Sequence, residues 1–214
     1  MFPIVLNLRG KKVVVFGGGS VAGRRVKKLL EAGAKVKIVA KEFSEAITRV
    51  DSPNLELIEG DLERMDIRRI IEESDLIFIS TDKKYLNDKI EEEAKKLNKW
   101  VNRADKIGDF IIPANLKVGD IHISISTQGK SPAFTKALKR RLKRVITQED
   151  IMLVELQEFA RKILKEKVED QRLRKEILEE ILNMPELINS LREHNSSKAK
   201  KILLSHLERR LCTQ

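Results

Sequence analysis

Three small residues in the stretch Val13-Val14-Val15-Phe16-Gly17-Gly18-Gly19-Ser20-Val21-Ala22-Gly23-Arg24-Arg25 carry the first chemistry, because Gly17, Gly19 and Ala22 keep a G-x-G-x-x-A spacing. In a dinucleotide fingerprint each has a physical task. Gly17 allows a tight turn, Gly19 lets backbone approach a pyrophosphate, and Ala22 lets a helix pack close to the preceding strand. The amides of the first helical turn, from Ser20, Val21 and Ala22, then face the anion together with the helix dipole. A glycine-rich turn with no ligand is spelled the same way, so the flanking elements decide between the two.

Further polar groups fall where an open α/β sheet binds ligands, at the carboxyl ends of its strands. Thr81 and Asp82 close one apolar run, and Asn102, Arg103 and Asp105 close the next. Asp105 stands where a base can reach a substrate beside a nicotinamide; a loop or capping aspartate is the plain alternative. Hydride transfer needs little from a protein beyond orientation and a proton acceptor, so one placed carboxylate suffices. The second strand-like run ends in Lys41 and Glu42, where an NAD site usually has its ribose-binding acid; Glu42 falls slightly late for that role, and Lys41 either meets a 2′-phosphate or is a plain surface lysine. Chemistry alone leaves NAD and NADP open. The loop Thr127-Gln128-Gly129-Lys130-Ser131-Pro132-Ala133 places Ser131 as an N-cap and Pro132 at the first helical position. Either it simply starts a helix, or Thr127, Lys130 and Ser131 hold a carboxylate or phosphate there. His122, His194, His206 and the single Cys212 show no zinc-type spacing and no Ser-His-acid set, so no metal site is expected.

The elements that must position these groups show as alternating patterns. Residues 13–16, 35–39, 55–58, 75–80 and 100–102 read as strands, and 20–32, 43–50, 62–73 and 83–98 as helices. This alternation predicts a parallel, right-handed, doubly wound Rossmann-like sheet, with the glycines at its first strand-to-helix turn. That context favours a nucleotide site over an empty turn. After residue 102 the pattern changes: Asp109-Phe110-Ile111-Ile112, stopped by Pro113, and the alternating Ile121-His122-Ile123-Ser124-Ile125-Ser126 read as strands of a smaller unit. Residues 133–211 read as helical, with a capping sequence at Thr147-Gln148-Glu149-Asp150 and breaks at Met184-Pro185 and Asn195-Ser196-Ser197. This tail looks thin for a core of its own, which points to packing against another subunit.

Composition narrows the partners. The net charge is +10, and most of the excess lies beyond Pro113, including Lys136, Lys139, Arg140, Arg141, Lys143 and Arg144. An anionic partner follows: nucleic acid, a membrane surface or a polycarboxylate. A solvated helix face is the plain alternative. With 36% charged and 4% aromatic residues the helices are long and well solvated. One cysteine excludes an internal disulfide and suits a reducing cytoplasm, and no run reaches the length of a membrane span or signal peptide. A soluble protein is expected.

Taken in order, Gly17 to Ala22 with the following arginine, Ser80-Thr81-Asp82, Asn102-x-x-Asp105, Phe110-x-x-Pro113 and Ile125-Ser126-Thr127-x-Gly129-x-Ser131-Pro132 resemble the precorrin-2 dehydrogenases, the N-terminal module of siroheme synthases. The resemblance covers about residues 2–145. It implies NAD-dependent oxidation of precorrin-2 to sirohydrochlorin in a homodimer, in some relatives followed by insertion of Fe2+ to give siroheme. It also implicates Asp105 in the chemistry, with NAD at Gly17, Gly19, Ser20, Val21, Ala22, Lys41, Glu42, Thr81 and Asp82. The anionic tetrapyrrole then accounts for the basic excess, with Asn102, Arg103, Thr127, Lys130 and Ser131 as substrate contacts. Where the family usually has Asn-Val-Val-Asp, this chain reads Asn102-Arg103-Ala104-Asp105, so Arg103 is expected to meet a substrate carboxylate. The implied domains are 1–112 for NAD, 113–146 for dimerisation and substrate, and 147–214 as a helical C-terminal domain. Two rival readings stay open: an NAD-sensing regulatory module, and an enzyme that only chelates. No nucleic-acid reader is recognisable in the basic tail.

Overall fold

Apolar, β-branched runs form five strands in the first part of the chain: β1 Lys12–Phe16, β2 Lys35–Ala40, β3 Leu55–Glu59, β4 Leu76–Ile79 and β5 Trp100–Arg103. The computed structural model describes residues 1–212 and divides into two compact units, Met1–Ile112 and Pro113–Gln214. Thr213 and Gln214, the end of the expected helical domain, lie outside the described residues.

In the first unit all pairings are parallel and the strand order is β3-β2-β1-β4-β5. This is the expected Rossmann-like sheet, and the chain reverses direction across it between β1 and β4. Helices α1 (Ser20–Glu31) and α2 (Glu45–Thr48) cover one face, where Ala22, Val26 and Ile47 pack on Val15, Ile38 and Phe78. Helices α3 (Ile67–Glu72) and α4 (Lys84–Lys96) cover the other, where Ile71, Leu86 and Ile90 pack on Val14, Ile77 and Val101. Strands buried on both faces have no polar alternation, which is why β1 and β4 read as continuous apolar runs. Each fully buried Ile or Leu contributes about 1.5–3 kcal/mol of apolar transfer.

The expected strand at Asp109–Ile112 is not one. Asp109 instead accepts the Val101 N–H on its carboxylate (2.9 Å) and donates its own N–H to the Val101 carbonyl (2.9 Å). Phe110 meets the Phe78 ring edge-on at 5.5 Å. The segment is thus a strap folded over the edge of β5, and Pro113, which has no N–H, ends it.

In the second unit β6 (Ala114–Val118) and β7 (Ile121–Ile125) form an antiparallel hairpin, turned at Gly119 with φ +55°. Helix α5 (Pro132–Val145) starts as its sequence demands, with the Ser131 hydroxyl accepting the Phe134 N–H at 3.3 Å. Thr147 and Asp150 build a reciprocal capping box at the start of α6 (Gln148–Lys167). Helices α7 (Gln171–Leu182), α8 (Pro185–Arg192) and α9 (Ser196–Cys212) follow. Contrary to expectation this tail has a core of its own, where Leu164, Ile177, Ile181, Leu187, Leu203 and Leu207 are all buried together. The apolar stripes of α6 to α9 pack mainly on one another, with Val154 and Leu182 left exposed.

Candidate functional site

A cleft of about 650 Å³ opens at the carboxyl ends of β1 to β4, lined by residues 17–19, 40–44, 61–63 and 80–83 with Leu86. A second cleft, about 480 Å³, opens at the opposite strand ends around Lys12, Lys35 and Asn54. It has no glycine turn and no helix N-terminus, so the first is the candidate site.

The three consecutive glycines differ sharply. Gly17 holds φ +112°, and a Cβ on it would lie 2.6 Å from the Ser80 carbonyl oxygen. At Gly18 a Cβ would lie 1.8 Å from the Glu42 carbonyl oxygen, so this glycine lets the turns after β1 and β2 touch. A Cβ on Gly19 would meet nothing within 4 Å. Gly19 is also the N-cap of α1 and has no side chain to occupy the first-turn amides. Ser20 and Val21 are exposed on that turn, and Ala22 is buried against the sheet. The Ser44 hydroxyl oxygen, in the same cleft, is buried without a protein partner among the described residues. Open space above Gly19, free amides and an orphaned hydroxyl fit a dinucleotide.

Lys41, Glu42, Thr81 and Asp82 all line this cleft. Lys41 is exposed, and its ammonium pairs with Asp61 at 3.0 Å. Asp61 was not singled out by sequence; the Gly60-Asp61 pair after the third strand was its signal. The Glu63 N–H and Lys41 both hold the Asp61 carboxyl below the usual carboxylate range.

Thr81 connects the cleft to Asp105. Its hydroxyl donates to Asn87 Oδ1 at 2.6 Å, and Asn87 Nδ2 donates to the Thr81 carbonyl at 3.2 Å and to Asp105 Oδ2 at 3.4 Å. Arg103 grips Asp105 in a two-bond fork, Nε to Oδ1 at 2.9 Å and Nη2 to Oδ2 at 2.6 Å. Its remaining nitrogen, Nη1, meets Asp88 Oδ1 and Glu91 Oε2 of α4, each at 2.6 Å. The Arg103 side chain is 0% exposed, so the contact expected with a substrate carboxylate is replaced by three protein carboxylates. Asn102 is likewise buried, its Nδ2 donating to the Phe110 carbonyl at 2.9 Å to hold the strap, while its Oδ1 has no protein partner among the described residues.

The Arg103 fork holds the Asp105 carboxyl down to about 2. Burial pushes Glu91 up, but bonds from Lys106, Lys95 and Arg103 outweigh it and bring Glu91 down to about 2. Both groups have lower pKa values folded than unfolded, where carboxyls titrate at about 4. The stability they contribute is therefore complete above about pH 5 and is lost as pH falls toward 2. Thermal midpoints should stay level from pH 7 to about 5 and drop steeply below about 4. Unchanged midpoints at about pH 3 would contradict this account of the cluster.

Sequence reasoning missed Asn87 and Glu91, although a signal was present. They lie four residues apart on α4 and are buried with its apolar stripe of Leu86, Ile90 and Ala94. Polar residues on a buried stripe need partners: Thr81 and Asp105 for Asn87, and Arg103, Lys95 and Lys106 for Glu91. Arg25 of α1 was also passed over; it donates to the carbonyls of Ile79 and Arg103, each at 3.3 Å, and tethers the ends of β4 and β5.

Thr127, Lys130 and Ser131 belong to the second unit. Thr127 Oγ1 accepts the Ser131 N–H at 3.2 Å and lies 3.2 Å from the Thr135 hydroxyl, so both loop hydroxyls help cap α5. Lys130 is exposed.

Among the described residues no helix is long and apolar enough to cross a membrane. A family described as "Putative NAD(P)-binding" matches residues 4–114. A "Putative precorrin-2 dehydrogenase" of Methanocaldococcus jannaschii is 38% identical over 85% of this chain and 89% of its own. The precorrin-2 dehydrogenase of Methanosarcina barkeri is 34% identical over 93% of this chain and 90% of its own. A siroheme synthase of Actinobacillus succinogenes is 28% identical over 97% of this chain, which spans 43% of that longer protein. The solved structure of SirC, precorrin-2 dehydrogenase, has the same fold, with a TM-score of 0.74 over 98% of this chain and all of that one at 24% identity.

Proposed function

This chain belongs to the precorrin-2 dehydrogenase family, and from that premise we propose that it oxidises precorrin-2 to sirohydrochlorin with NAD. The observation that carries the reading is the hydrogen-bonded path from Thr81, in the glycine cleft, through Asn87 to Asp105. It ties the cofactor cleft to a carboxylate at the end of the neighbouring strand.

When bound, NAD supplies a hydride acceptor. Gly19 and the first-turn amides of α1 would hold its pyrophosphate, and Glu42 and Asp61 would accept from ribose hydroxyls in preference to a 2′-phosphate. Thr81 and Asp82 would border its reactive end. Loss of hydride leaves positive charge on the macrocycle, and a carboxylate fixed beside it lowers the energy of that charge. With its pKa near 2, Asp105 is a weak proton acceptor at neutral pH. Its reading is therefore orientation and charge stabilisation first, with the proton of the reduced ring passing to water or to Asp105 as the ring loses it.

The residues 113–146 are proposed as the dimerisation and substrate-binding region of a homodimer, ahead of a helical domain over 147–214. The basic face of α5 and the Thr127, Lys130 and Ser131 loop would attract the carboxylates of the substrate. A cytoplasmic setting suits an exposed, unpaired Cys212. Relatives named siroheme synthase support a second step, insertion of Fe2+ as substrate into sirohydrochlorin. The test is sequential: precorrin-2 and NAD are mixed with the purified protein, absorbance is followed, and Fe2+ is then added. Sirohydrochlorin should form only when NAD is present, and siroheme should follow iron faster than in a protein-free control. NAD binding without turnover would favour a sensing module, and metal insertion without NAD-dependent oxidation would favour an enzyme that only chelates.

A further inference from the structure

We infer that Arg103 is a positioning residue for the reaction, its buried guanidinium holding Asp105 aimed and ionised while Asp88 and Glu91 anchor it to α4. The inference rests on the reading of Asp105 as the carboxylate beside the reacting ring. Three observations carry it. The Arg103 guanidinium is completely buried, so it makes its contacts within the protein. It binds Asp105 through two nitrogens at once, which fixes the plane of the carboxylate as well as its place. The remaining nitrogen is held by Asp88 and Glu91, and these are in turn bridged by Lys106, at 3.2 Å and 2.8 Å.

A buried guanidinium is not free to swing, and here every edge of it has a partner. Lys95 adds a further cation on Glu91 at 2.8 Å, and Arg25 reaches the Arg103 carbonyl from the opposite face of the sheet. The charged groups around Asp105 are therefore Arg103, Asp88, Glu91, Lys95, Lys106 and Arg25. Without Arg103, the three carboxylates Asp88, Glu91 and Asp105 would keep only Lys95 and Lys106 as counter-charges, both of them on Glu91 and Asp88, and the net negative charge left beside Asp105 favours its protonation. An arginine is required for the fork; a lysine supplies the charge as a single point.

The test compares kcat/KM against pH, with precorrin-2 and NAD, for the wild type, R103M, R103K and D105N. In the wild type no acid limb is expected above about pH 4, since Asp105 stays ionised. R103M should lower kcat about tenfold or more at pH 7 and bring an acid limb into view between about pH 4.5 and 6, while the Kd for NADH stays within about twofold. R103K should suppress that acid limb without recovering full kcat, which separates charge from aim. Should R103M not fold, E91M/R103M removes a buried anion together with the buried cation, an exchange that proteins often tolerate. A folded R103M or E91M/R103M with the wild-type pH profile and kcat would overturn the inference. If D105N itself kept full kcat, the reading of Asp105 would fail instead; loss in D105N with none in the Arg103 variants would remove only the role of Arg103.

Discussion

Replacing Asp105 with asparagine is expected to lower kcat about 10²–10³-fold while leaving NAD affinity within about twofold. Asparagine keeps the size and one acceptor of the side chain but removes its charge. Arg103 would keep Asp88 and Glu91 as its only anionic partners, and its two-bond fork would be broken, because the amide offers one acceptor and sets its NH2 against the second guanidinium N–H. Because Asp105 is not among the residues lining the glycine cleft, the cofactor should bind normally. Equilibrium titration with NADH and single-turnover oxidation of precorrin-2 separate the two effects. A parallel loss of cofactor affinity and turnover would instead place Asp105 among the residues that shape the cleft.

The second large effect divides two adjacent glycines. Gly18→Ala should destabilise the first unit by about 3 kcal/mol or more, because its Cβ would overlap the Glu42 carbonyl oxygen at 1.8 Å and neither backbone can move freely. Gly19→Ala should leave the thermal midpoint nearly unchanged. Its φ of −78° suits alanine, and no protein atom lies within 4 Å of the added carbon. The same carbon would occupy the space a pyrophosphate needs, so NAD affinity should fall about tenfold or more. Unfolding curves and NADH titration of both variants check the contrast. Equal stability losses would mean that the turn is rigid throughout and that Gly19 serves the fold, with no bearing on the ligand.

These two sites also show what can be read from sequence. The glycine turn was legible because its constraint is local: a strand, a reversal and a helix start lie within a dozen residues. Even there, Gly18 passed unnoticed, since its demand comes from the turn after β2 and is visible only when the two turns meet. Asp105 was placed correctly at the end of β5 by the rule for open sheets. Arg103 was placed there too, but its burial was not legible, because it depends on Asp88 and Glu91, which come from α4 in the preceding stretch of chain. The pattern of α4 did carry a hint, as Asn87 and Glu91 interrupt its buried stripe. The helical tail misled for the opposite reason. Each helix after residue 147 is thin by itself, and only their mutual packing around Ile181 and Leu203 makes a core. The strap at Asp109–Ile112 has the composition of a strand, yet Asp109 is committed to the β5 edge through both its carboxylate and its backbone.

Roles that depend on the second unit follow a different logic. The hydroxyls of Thr127 and Ser131 are engaged in starting α5, so whatever that loop gives a substrate comes mainly from Lys130 and the basic helix behind it. Charge of this kind acts at a distance and is screened by salt. A role in attracting a polycarboxylate therefore predicts a KM that rises with ionic strength and a kcat that does not.

The most direct test of the central claim is an anaerobic titration of precorrin-2 with limiting NAD, run on the wild type and on D105N. The proposed chemistry predicts one NADH for each sirohydrochlorin formed by the wild type, and almost none in the same time from a D105N protein that still binds NADH. Oxidation of precorrin-2 without matching NADH, or equal rates in the two proteins, would contradict it.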